Sequence, residues 1–277
     1  MSDDLRRLSA LRRGRYGEPH EHHERLGSTN DRGLAWLREG APHGAVVTAD
    51  AQDAGRGRRG RTWFSPPGAN LYVSVLLRPG PVRPSTRLGA LGLAVGVGLR
   101  EGLPPLRAPV VLKWPNDLKV EGRKLGGILC EARWVDDEPE VVVGFGLNVH
   151  ASAFPAALRS RATCLADHVT GPRQAGDRSP ALGRATLLAG LLESLESAVE
   201  LFVQEGFGAL RSRYVPHCEG LGRVVDVGDA TMPAGARRGV AERLDDDGGL
   251  WVRPDDGGPS FRVESSDVWL AAPDPCG

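Results

Sequence analysis

The sequence predicts an α+β fold with a small all-β unit at its C-terminal end, and three observations support this prediction. Segments with helical periodicity alternate with β-like segments as far as about residue 217. From residue 218 onward, short β segments are separated by turns such as Asp245-Asp246-Asp247-Gly248-Gly249, which fits a small SH3-like barrel. A chain of 277 residues can form one large core plus a second domain. We therefore expect a weakly ordered lead-in at residues 1–19, a main domain at 20–217 and a C-terminal domain at 218–277.

The elements of both domains follow from the spacing of apolar residues. A first helix begins at Ser28 or Thr29, either of which can cap it, and ends before Pro42 and Gly44. Two further helices are predicted around residues 88–99 and 181–205, the second after a loop at 171–180. The predicted strands are 45–49, 70–77, 110–113, 118–120, 124–133, 141–149, 223–227, 238–244, 250–253, 261–264 and 268–270.

Composition and charge argue against several classes of function. The formal net charge is zero and the pI is near 7.1, whereas a general nucleic-acid or membrane-surface binder is normally more basic. No apolar stretch approaches the roughly 20 residues of a membrane span, and the N-terminus has no signal peptide. No two of the cysteines form a CxxC pair, which favours free thiols; they are Cys130, Cys164, Cys218 and Cys276. These features predict a soluble cytoplasmic protein.

Glycines and arginines alternate in the run Gly55-Arg56-Gly57-Arg58-Arg59-Gly60-Arg61, which leads to Trp63; we call residues 55–63 the arginine loop. Its glycines match the spacing of a dinucleotide-binding fingerprint, but a strand follows instead of a helix, and Pro79-Gly80 stand where the fingerprint has an acid. A basic run is most often a solvated surface or a nucleic-acid patch. Here alternating glycines let backbone N–H groups and guanidinium groups converge on one ligand, which favours an anion-binding loop.

A second cluster of polar groups surrounds a rigid Trp-Pro step in Lys113-Trp114-Pro115-Asn116-Asp117. In isolation this cluster is compatible with the start of a hairpin containing an Asx turn. Lys124 in isolation is compatible with an ordinary exposed lysine. Together with the arginine loop, these residues supply the cations, the aromatic face and the Asn-Asp pair needed to bring two anions together, such as a carboxylate and a triphosphate. Glycines in the strand 141–149 also indicate that a ligand or another backbone comes close.

Two other arrangements carry less weight. His20, His22 and Glu24 alternate along a segment that could be a strand, where three ligands on one face could hold a metal ion. No fourth ligand is in view, however, so we do not favour a metal site there. A Ser-His-Asp hydrolase is not supported because the chain has no Gly-x-Ser-x-Gly motif.

Five motifs occur in the order typical of bacterial biotin protein ligases (biotin–[acetyl-CoA-carboxylase] ligases), which the chain resembles over about residues 21–270. The motifs are Gly27-Ser28-Thr29-Asn30, Gln52 through the arginine loop, Lys113-Trp114-Pro115-Asn116-Asp117, Gly122-Arg123-Lys124-Leu125-Gly126-Gly127-Ile128-Leu129 and Gly144-Phe145-Gly146-Leu147-Asn148-Val149. The resemblance implies a class-II-synthetase-like catalytic domain, with a mixed sheet flanked by helices, followed by a C-terminal SH3-like β-barrel.

The resemblance also implies a two-step reaction. Biotin and ATP form biotinyl-5′-AMP and pyrophosphate, and biotin then passes to a lysine of a biotin carboxyl carrier protein domain. Lipoate ligases and octanoyl transferases share the fold and are the alternative. Only a short polar stretch precedes Ser28, so we expect no winged-helix domain and no repressor role on DNA. Whether the protein is a monomer or a homodimer stays open.

Residue roles follow from charge and from the resemblance together. Arg56 and Arg58 are expected to cancel the repulsion between carboxylate and phosphate, and Lys124 to stabilise the charge that develops. We expect the arginine loop to order over the ligand and exclude water. The biotin or adenylate contacts implied by the resemblance are Ser28, Thr29, Asn30, Gln52, Arg56, Gly57, Arg58, Lys124, Gly126 and Gly127.

ATP contacts are expected from Arg58, Arg61, Trp63, Lys113, Asn116 and Asn148. Trp63 would stack on adenine. Mg²⁺ is expected on the triphosphate, with Asn116 and Asp117 as the nearest protein oxygens. Asp117 could instead orient the acceptor lysine and take its proton, and the sequence does not separate these two roles.

Overall fold

Two sheets organise the structure, a computed structural model that describes residues 5–80, 85–150, 154–170, 183–228 and 235–271. The strands are β1 (His20–Leu26), β2 (Val46–Gln52), β3 (Leu71–Leu77), β4 (Val110–Lys113), β5 (Asp117–Val120), β6 (Arg123–Val135), β7 (Glu138–Leu147), β8 (Val224–Gly228), β9 (Arg237–Leu244), β10 (Leu250–Pro254), β11 (Phe261–Val263) and β12 (Asp267–Leu270). The first sheet has seven strands in the order β1-β2-β3-β7-β6-β5-β4, and the second has five in the order β11-β10-β9-β8-β12. The predicted α+β class is confirmed.

The α-helices of the described residues are α1 (Leu8–Leu11), α2 (Thr29–Arg38), α3 (Leu91–Gly102), α4 (Ala156–Arg159), α5 (Arg184–Glu205) and α6 (Arg211–Tyr214). Short 3₁₀ turns cover Leu5–Arg7, Arg58–Gly60, Ser85–Ala90, Leu165–Asp167, Phe207–Leu210 and Val215–His217. None of the described helices is long and apolar enough to cross a membrane. The predicted loop at 171–180, the predicted start of a helix at Ala181 and the thiol of Cys276 lie outside the described residues.

The large sheet is mixed because β1 runs parallel to β2, while its other neighbouring strands are antiparallel. Strands β6 and β7 form a long hairpin that turns at Asp136 and Asp137, where φ is 48° and 64°. Aspartate tolerates this left-handed conformation in tight hairpin turns. The hairpin register sets Gly127 opposite Gly146 and Leu129 opposite Gly144.

Helices cover both faces of the large sheet. On one face, α3 and α5 pack so closely that a Cβ on Gly98 would lie 2.8 Å from the Cα of Leu195. The small residues of α3 therefore permit the contact with α5. On the other face, α2 places Leu37 against Val47, Leu76 and Val142 of three adjacent strands. The alternation of apolar side chains along those strands supplies one core on each face.

The predicted weakly ordered lead-in differs from the structure. From residue 5 to residue 19 the segment packs on the core, with Leu5, Leu8 and Tyr16 buried. Arg15 adds ion pairs to Glu196 and Glu200 of α5 at 3.0 and 2.9 Å. The expectation fails because isolated apolar residues in a polar segment give no periodic signal.

The histidines near the N-terminus form strand β1, as their alternation suggested, but they do not converge on a metal position. Nε2 of His20 and Nδ1 of His22 lie 2.8 and 3.0 Å from the hydroxyl of Thr48 in β2. Glu24 pairs with Arg6 instead. Burial lowers the pKa of His20 to about 4. In the part of the chain that the structure describes, no cluster of three His, Cys, Asp or Glu side chains could hold a metal ion.

Candidate active site

A cavity of about 470 Å³ lies where the arginine loop faces strands β5, β6 and β7 and the start of α2. Asp267 and Val268 of the C-terminal sheet complete its wall. The cavity brings together these residues that the sequence singled out: Ser28, Thr29, Asn30, Gln52, Arg56, Gly57, Arg58, Arg61, Trp63, Lys113, Asn116, Asp117, Lys124, Gly127 and Asn148.

Gly126 is an exception and does not line the cavity, so its contact with a ligand stays a prediction. A Cβ at this position would lie 2.9 Å from the carbonyl oxygen of Gly146 on β7. Its lack of a side chain permits close approach of the two strands, which is a packing role.

Lys124 and Asp117 lie on adjacent strands and form the charged centre of the β5–β6 wall. Their Nζ and Oδ1 atoms are 2.7 Å apart. A register shift between Leu118 and Lys119 pairs Lys119 with Lys124, and a bulge of this kind redirects side chains at an active-site edge. Lys124 also lies over the ring of Trp63, with Nζ 5.2 Å from the ring centroid. A cation is thus held by sheet geometry at the cavity wall.

Trp63 lies on a floor made of glycines. A Cβ on Gly146 would come within 2.4 Å of the Trp63 ring, and one on Gly127 within 3.2 Å of it. The glycines of β7 were expected to admit a ligand or a backbone, and at Gly146 they admit an indole side chain. Within the described structure, the buried Nε1 of Trp63 has no hydrogen-bond partner.

Arg58 reaches from the arginine loop to both sides of the cavity. Its guanidinium donates to Oδ1 of Asn116 at 3.2 Å and to the backbone carbonyl of Ser265 in the C-terminal unit. Burial is the main cause that lowers the pKa of Arg58. A partly desolvated guanidinium interacts strongly with an anion, as the prediction for Arg58 requires.

Arg56 is arranged differently from the prediction. Its two terminal nitrogens donate side by side to Oε1 and Oε2 of Glu131, at 2.9 and 2.6 Å. A second ion pair joins it to Asp31 at 2.7 Å. Its paired donors are therefore engaged by protein carboxylates in this structure, and bidentate binding of carboxylate and phosphate by Arg56 stays a prediction.

Asn30 is also committed to the protein. Its Nδ2 donates to Oε2 of Glu131 at 2.7 Å and to the carbonyl of Leu129, and its Oδ1 accepts from the hydroxyl of Ser74 at 2.6 Å. A Cβ on Gly144 would lie 2.0 Å from Oδ1, so Gly144 makes room for this amide. These contacts use both amide donors of Asn30 within the protein, and its contact with biotin stays a prediction.

The other polar residues at the start of α2 remain compatible with a ligand. Oε1 of Gln52 accepts from the backbone N–H and the hydroxyl of Thr29, at 2.8 and 3.2 Å, and its Nε2 donates to Ser65. Ser28 occupies the N-cap position of α2, but its side chain does not make the predicted capping hydrogen bond. Ser28 lines the cavity.

The far wall of the cavity contains Lys113, Asn116 and Asn148. Burial is the main cause that lowers the pKa of Lys113. Asn116 donates from Nδ2 to the carbonyl of Ile128 at 2.9 Å, which fixes its amide beside β6. Asn148 donates to the carbonyls of Thr163 and Lys124 at 3.0 and 3.4 Å, so it supports the backbone that carries Lys124.

Comparison with known proteins identifies the family of this chain. The model of the biotin/lipoate A/B protein ligase family matches residues 23–148. The biotin–[acetyl-CoA-carboxylase] ligase of Mycobacterium tuberculosis is 35% identical over 87% of this chain and 85% of its own length. The chain belongs to the biotin protein ligase family. The resemblance inferred from the five motifs is thereby confirmed.

Other members of the family extend the comparison. The bifunctional ligase/repressor BirA of Escherichia coli is 37% identical over 76% of this chain, and the matched region spans 62% of the length of BirA. A biotin protein ligase from Aquifex aeolicus, solved in complex with biotin and ATP, superposes with a TM-score of 0.69 at 27% identity. That match covers 91% of this chain and 98% of the Aquifex chain.

The residues that sequence reasoning missed in this ligase-family chain are mostly acids that neutralise the arginine loop. Glu131 and Asp31 pair with Arg56, and Asp267 pairs with Arg61 at 2.7 Å. Glu131 follows the Lys124 motif along the same strand. This position does not by itself identify Glu131 as the partner of Arg56. No local signal marks Asp267, which lies 206 residues from Arg61.

The oxygen donors of the site fit a Mg²⁺ ion only if substrate phosphates supply the other ligands. Oδ1 of Asp117 lies against Lys124, and Oδ1 of Asn116 accepts from Arg58. One carboxylate and one amide are too few for a site built by protein alone. Mg²⁺ commonly uses one or two protein oxygens together with substrate phosphates, and this set matches that arrangement.

Proposed function

We propose that this protein activates biotin with ATP to biotinyl-5′-AMP, releasing pyrophosphate, and then transfers biotin to a lysine of a biotin carboxyl carrier protein domain. The observation that carries the proposal is the convergence of Arg58, Lys124 and Asp117 on one cavity with the polar residues at the start of α2. The cavity volume lies within the range of small-molecule sites. The Aquifex relative, bound to biotin and ATP, supports the assignment.

In the first step, a biotin carboxylate oxygen attacks the α-phosphorus of ATP and pyrophosphate leaves. Both reactants are anionic, so the site must lower their mutual repulsion. Lys124 on the β-sheet wall and Arg58 on the loop supply that charge from two sides, and both are fixed before the reaction. Ser28 and Gln52 bind the polar end of biotin, and Lys113 and Arg61 bind phosphates. Trp63 and Asn148 contact the rest of the nucleotide.

Mg²⁺ brought with ATP would neutralise charge on the departing pyrophosphate, and Asp117 and Asn116 are the residues that would hold it. In the second step, the acceptor amine attacks the carbonyl carbon of the adenylate and AMP leaves. The amine loses its proton during this step. We assign Asp117 to orient the amine and take that proton, because its carboxylate belongs to the cavity wall where the adenylate would lie.

The test is biotin-dependent exchange between pyrophosphate and ATP, followed by mass spectrometry of a carrier domain incubated with the protein, biotin and MgATP. We expect exchange with biotin and a carrier mass increased by one biotinyl group. Exchange with lipoate or octanoate in place of biotin would support the alternative activity of the same fold. No exchange with any of these acids would overturn the proposal.

Two further expectations accompany this function. The chain would act in the cytoplasm, where the free thiols of Cys130, Cys164 and Cys218 stay reduced. It would not act on DNA, and a gel shift on random DNA at several salt concentrations tests that expectation.

A further inference from the structure

A chain of hydrogen bonds runs from the core of the large sheet to the arginine loop. The buried hydroxyl of Ser74 on β3 donates to Asn30, and Asn30 donates to Oε2 of Glu131 on β6. Glu131 then accepts two hydrogen bonds from Arg56. Ser74 and Asn30 are buried, so the interior end of this chain is fixed by packing.

The orientation of Glu131 is therefore set before Arg56 binds to it. Asn30 holds one of its oxygens at 2.7 Å, and Gly144 leaves the space that the Asn30 amide needs. Both Glu131 oxygens then match the planar fork of the Arg56 guanidinium, a geometry in which a charge-assisted pair is strongest. Asp31 at the start of α2 adds a second carboxylate to Arg56.

The rest of the arginine loop contacts the large sheet at two places, where Arg58 donates to Asn116 and where Trp63 lies on the glycines of β6 and β7. Within the loop, the N–H of Gly57 donates to the carbonyl of Arg61 at 2.6 Å. The later arginines reach mainly toward the C-terminal unit, where Arg61 pairs with Asp267 and Arg58 with the carbonyl of Ser265. The Arg56–Glu131 pair thus fixes the beginning of the loop to strand β6.

We propose that Glu131 is a positioning residue that holds the arginine loop over the cavity through Arg56. It does not touch the reacting atoms. Because the adenylate is a mixed anhydride that water destroys, a loop held in this way lengthens the time for which the intermediate stays bound. The role of Glu131 in retaining the adenylate rests on the proposed function. Its role in attaching the loop does not.

The attachment is tested without ligand by limited trypsin digestion, since the loop contains several arginines. The variant Glu131→Gln keeps the shape of the side chain and removes its charge. We expect cleavage after Arg59 or Arg61 to accelerate about tenfold, the effect of losing one bidentate charged pair. The control is Glu242→Gln, which removes the partner of Arg253 in the C-terminal unit and leaves loop cleavage unchanged.

A double-mutant cycle separates loop positioning from general weakening of the fold. In an Arg56→Gln background, Glu131→Gln should add no further cleavage, because the partner is already gone. Equal acceleration in both backgrounds, or cleavage of Glu131→Gln at the wild-type rate, would overturn the proposal. If Glu131→Gln does not fold, Arg56→Gln alone decides: it must accelerate cleavage at the remaining arginines.

The functional consequence has its own measurement. Bound biotinyl-5′-AMP should leave Glu131→Gln about tenfold faster than it leaves the wild-type protein, while Glu131→Asp should recover part of the retention. Unchanged release from Glu131→Gln would contradict the role in retention. If the wild-type protein makes and binds no adenylate, the proposed function fails, and the trypsin result still decides whether Glu131 holds the loop.

Discussion

The arginine loop and the β5–β6 wall face each other across the same cavity but are held in place by different forces. On the wall, backbone hydrogen bonds of the sheet fix Asp117 and Lys124 in register. In the loop, side-chain ion pairs to Glu131, Asp31 and Asp267 join the arginines to the rest of the protein. Ion pairs open more easily than a sheet, since each is partly exposed and screened by salt.

This difference suggests that the wall and the loop have different functions. The wall provides a rigid cation at the place where charge develops, and the loop provides a cover that can release substrates and products. Removing a group from the wall should therefore damage the chemical step. Removing an attachment of the loop should mainly change how long a ligand stays bound.

The largest effect is expected on the wall. Lys124→Ala removes the cation beside Asp117, and we expect adenylate formation to fall by about 100- to 1,000-fold. Quenched single-turnover assays of biotinyl-5′-AMP measure this directly. Arg123→Ala is the control, because Arg123 is the adjacent residue on β6 and pairs with Glu121 instead. Similar rates for Lys124→Ala and Arg123→Ala would remove Lys124 from the chemistry.

A second prediction concerns the glycine floor shared by the two regions. Gly146→Ala places a Cβ within 2.4 Å of Trp63, so the ring must move. We expect affinity for ATP, measured by calorimetry, to weaken by about tenfold, because the displaced ring is the predicted adenine contact and overpacking of this kind costs roughly 1–3 kcal/mol. Gly190→Ala on α5 meets nothing within 4 Å and serves as the matched control. Full affinity in Gly146→Ala would show that Trp63 can move without consequence.

Ionic strength should affect the arginine loop more than the β5–β6 wall, and this effect should be smaller than those of the substitutions above. Raising the salt concentration to about 1 M shortens the Debye length to about 3 Å and weakens partly exposed ion pairs. We expect trypsin to cut the loop a few times faster, while hydrogen exchange of the β5–β6 amides stays unchanged. Parallel changes in both regions would contradict the different origins of their order.

The smallest effect is expected at the edge of the sheet. Burial lowers the pKa of His20 to about 4, below its ordinary value. Between pH 6.5 and about 4 the unfolded chain takes up this proton while the folded chain does not, so stability falls as pH falls through that window. Above pH 6.5 the contribution of His20 is fully present.

The check compares thermal unfolding of His20→Gln with wild type at pH 7 and pH 4.5. The loss on acidification should be smaller in the variant, because the glutamine cannot titrate. An equal loss in both proteins would show that His20 does not contribute. Loop cleavage by trypsin, compared between the variant and wild type at neutral pH, should be the same because β1 does not line the cavity.

Much of the fold and the cavity could be predicted because their signals are local. The alternation of apolar residues in β3 and β7, and the turn after β5, predict strands within a few residues of their observed ends. The motifs around Lys113 and Lys124 predict the wall for the same reason. The glycines of β7 indicated a close approach, although their neighbours are side chains of Asn30 and Trp63.

The ion pairs of the loop could not be predicted because they join distant parts of the chain. Glu131 is 75 residues from Arg56 and Asp267 is 206 residues from Arg61. An acid on a strand is usually solvated, so its spacing carries no information about an arginine on another element. The sequence therefore indicated only a ligand-binding role for Arg56 and gave no sign of its pair with Glu131.

The division between wall and loop is tested most directly by measuring formation and release of biotinyl-5′-AMP in Lys124→Ala and Glu131→Gln side by side. Single-turnover mixing gives the rate of formation, and chase with unlabelled biotin and ATP gives the rate of release of preloaded adenylate. We predict that Lys124→Ala mainly slows formation and that Glu131→Gln mainly accelerates release. Slowed formation of similar size in both variants would contradict the division.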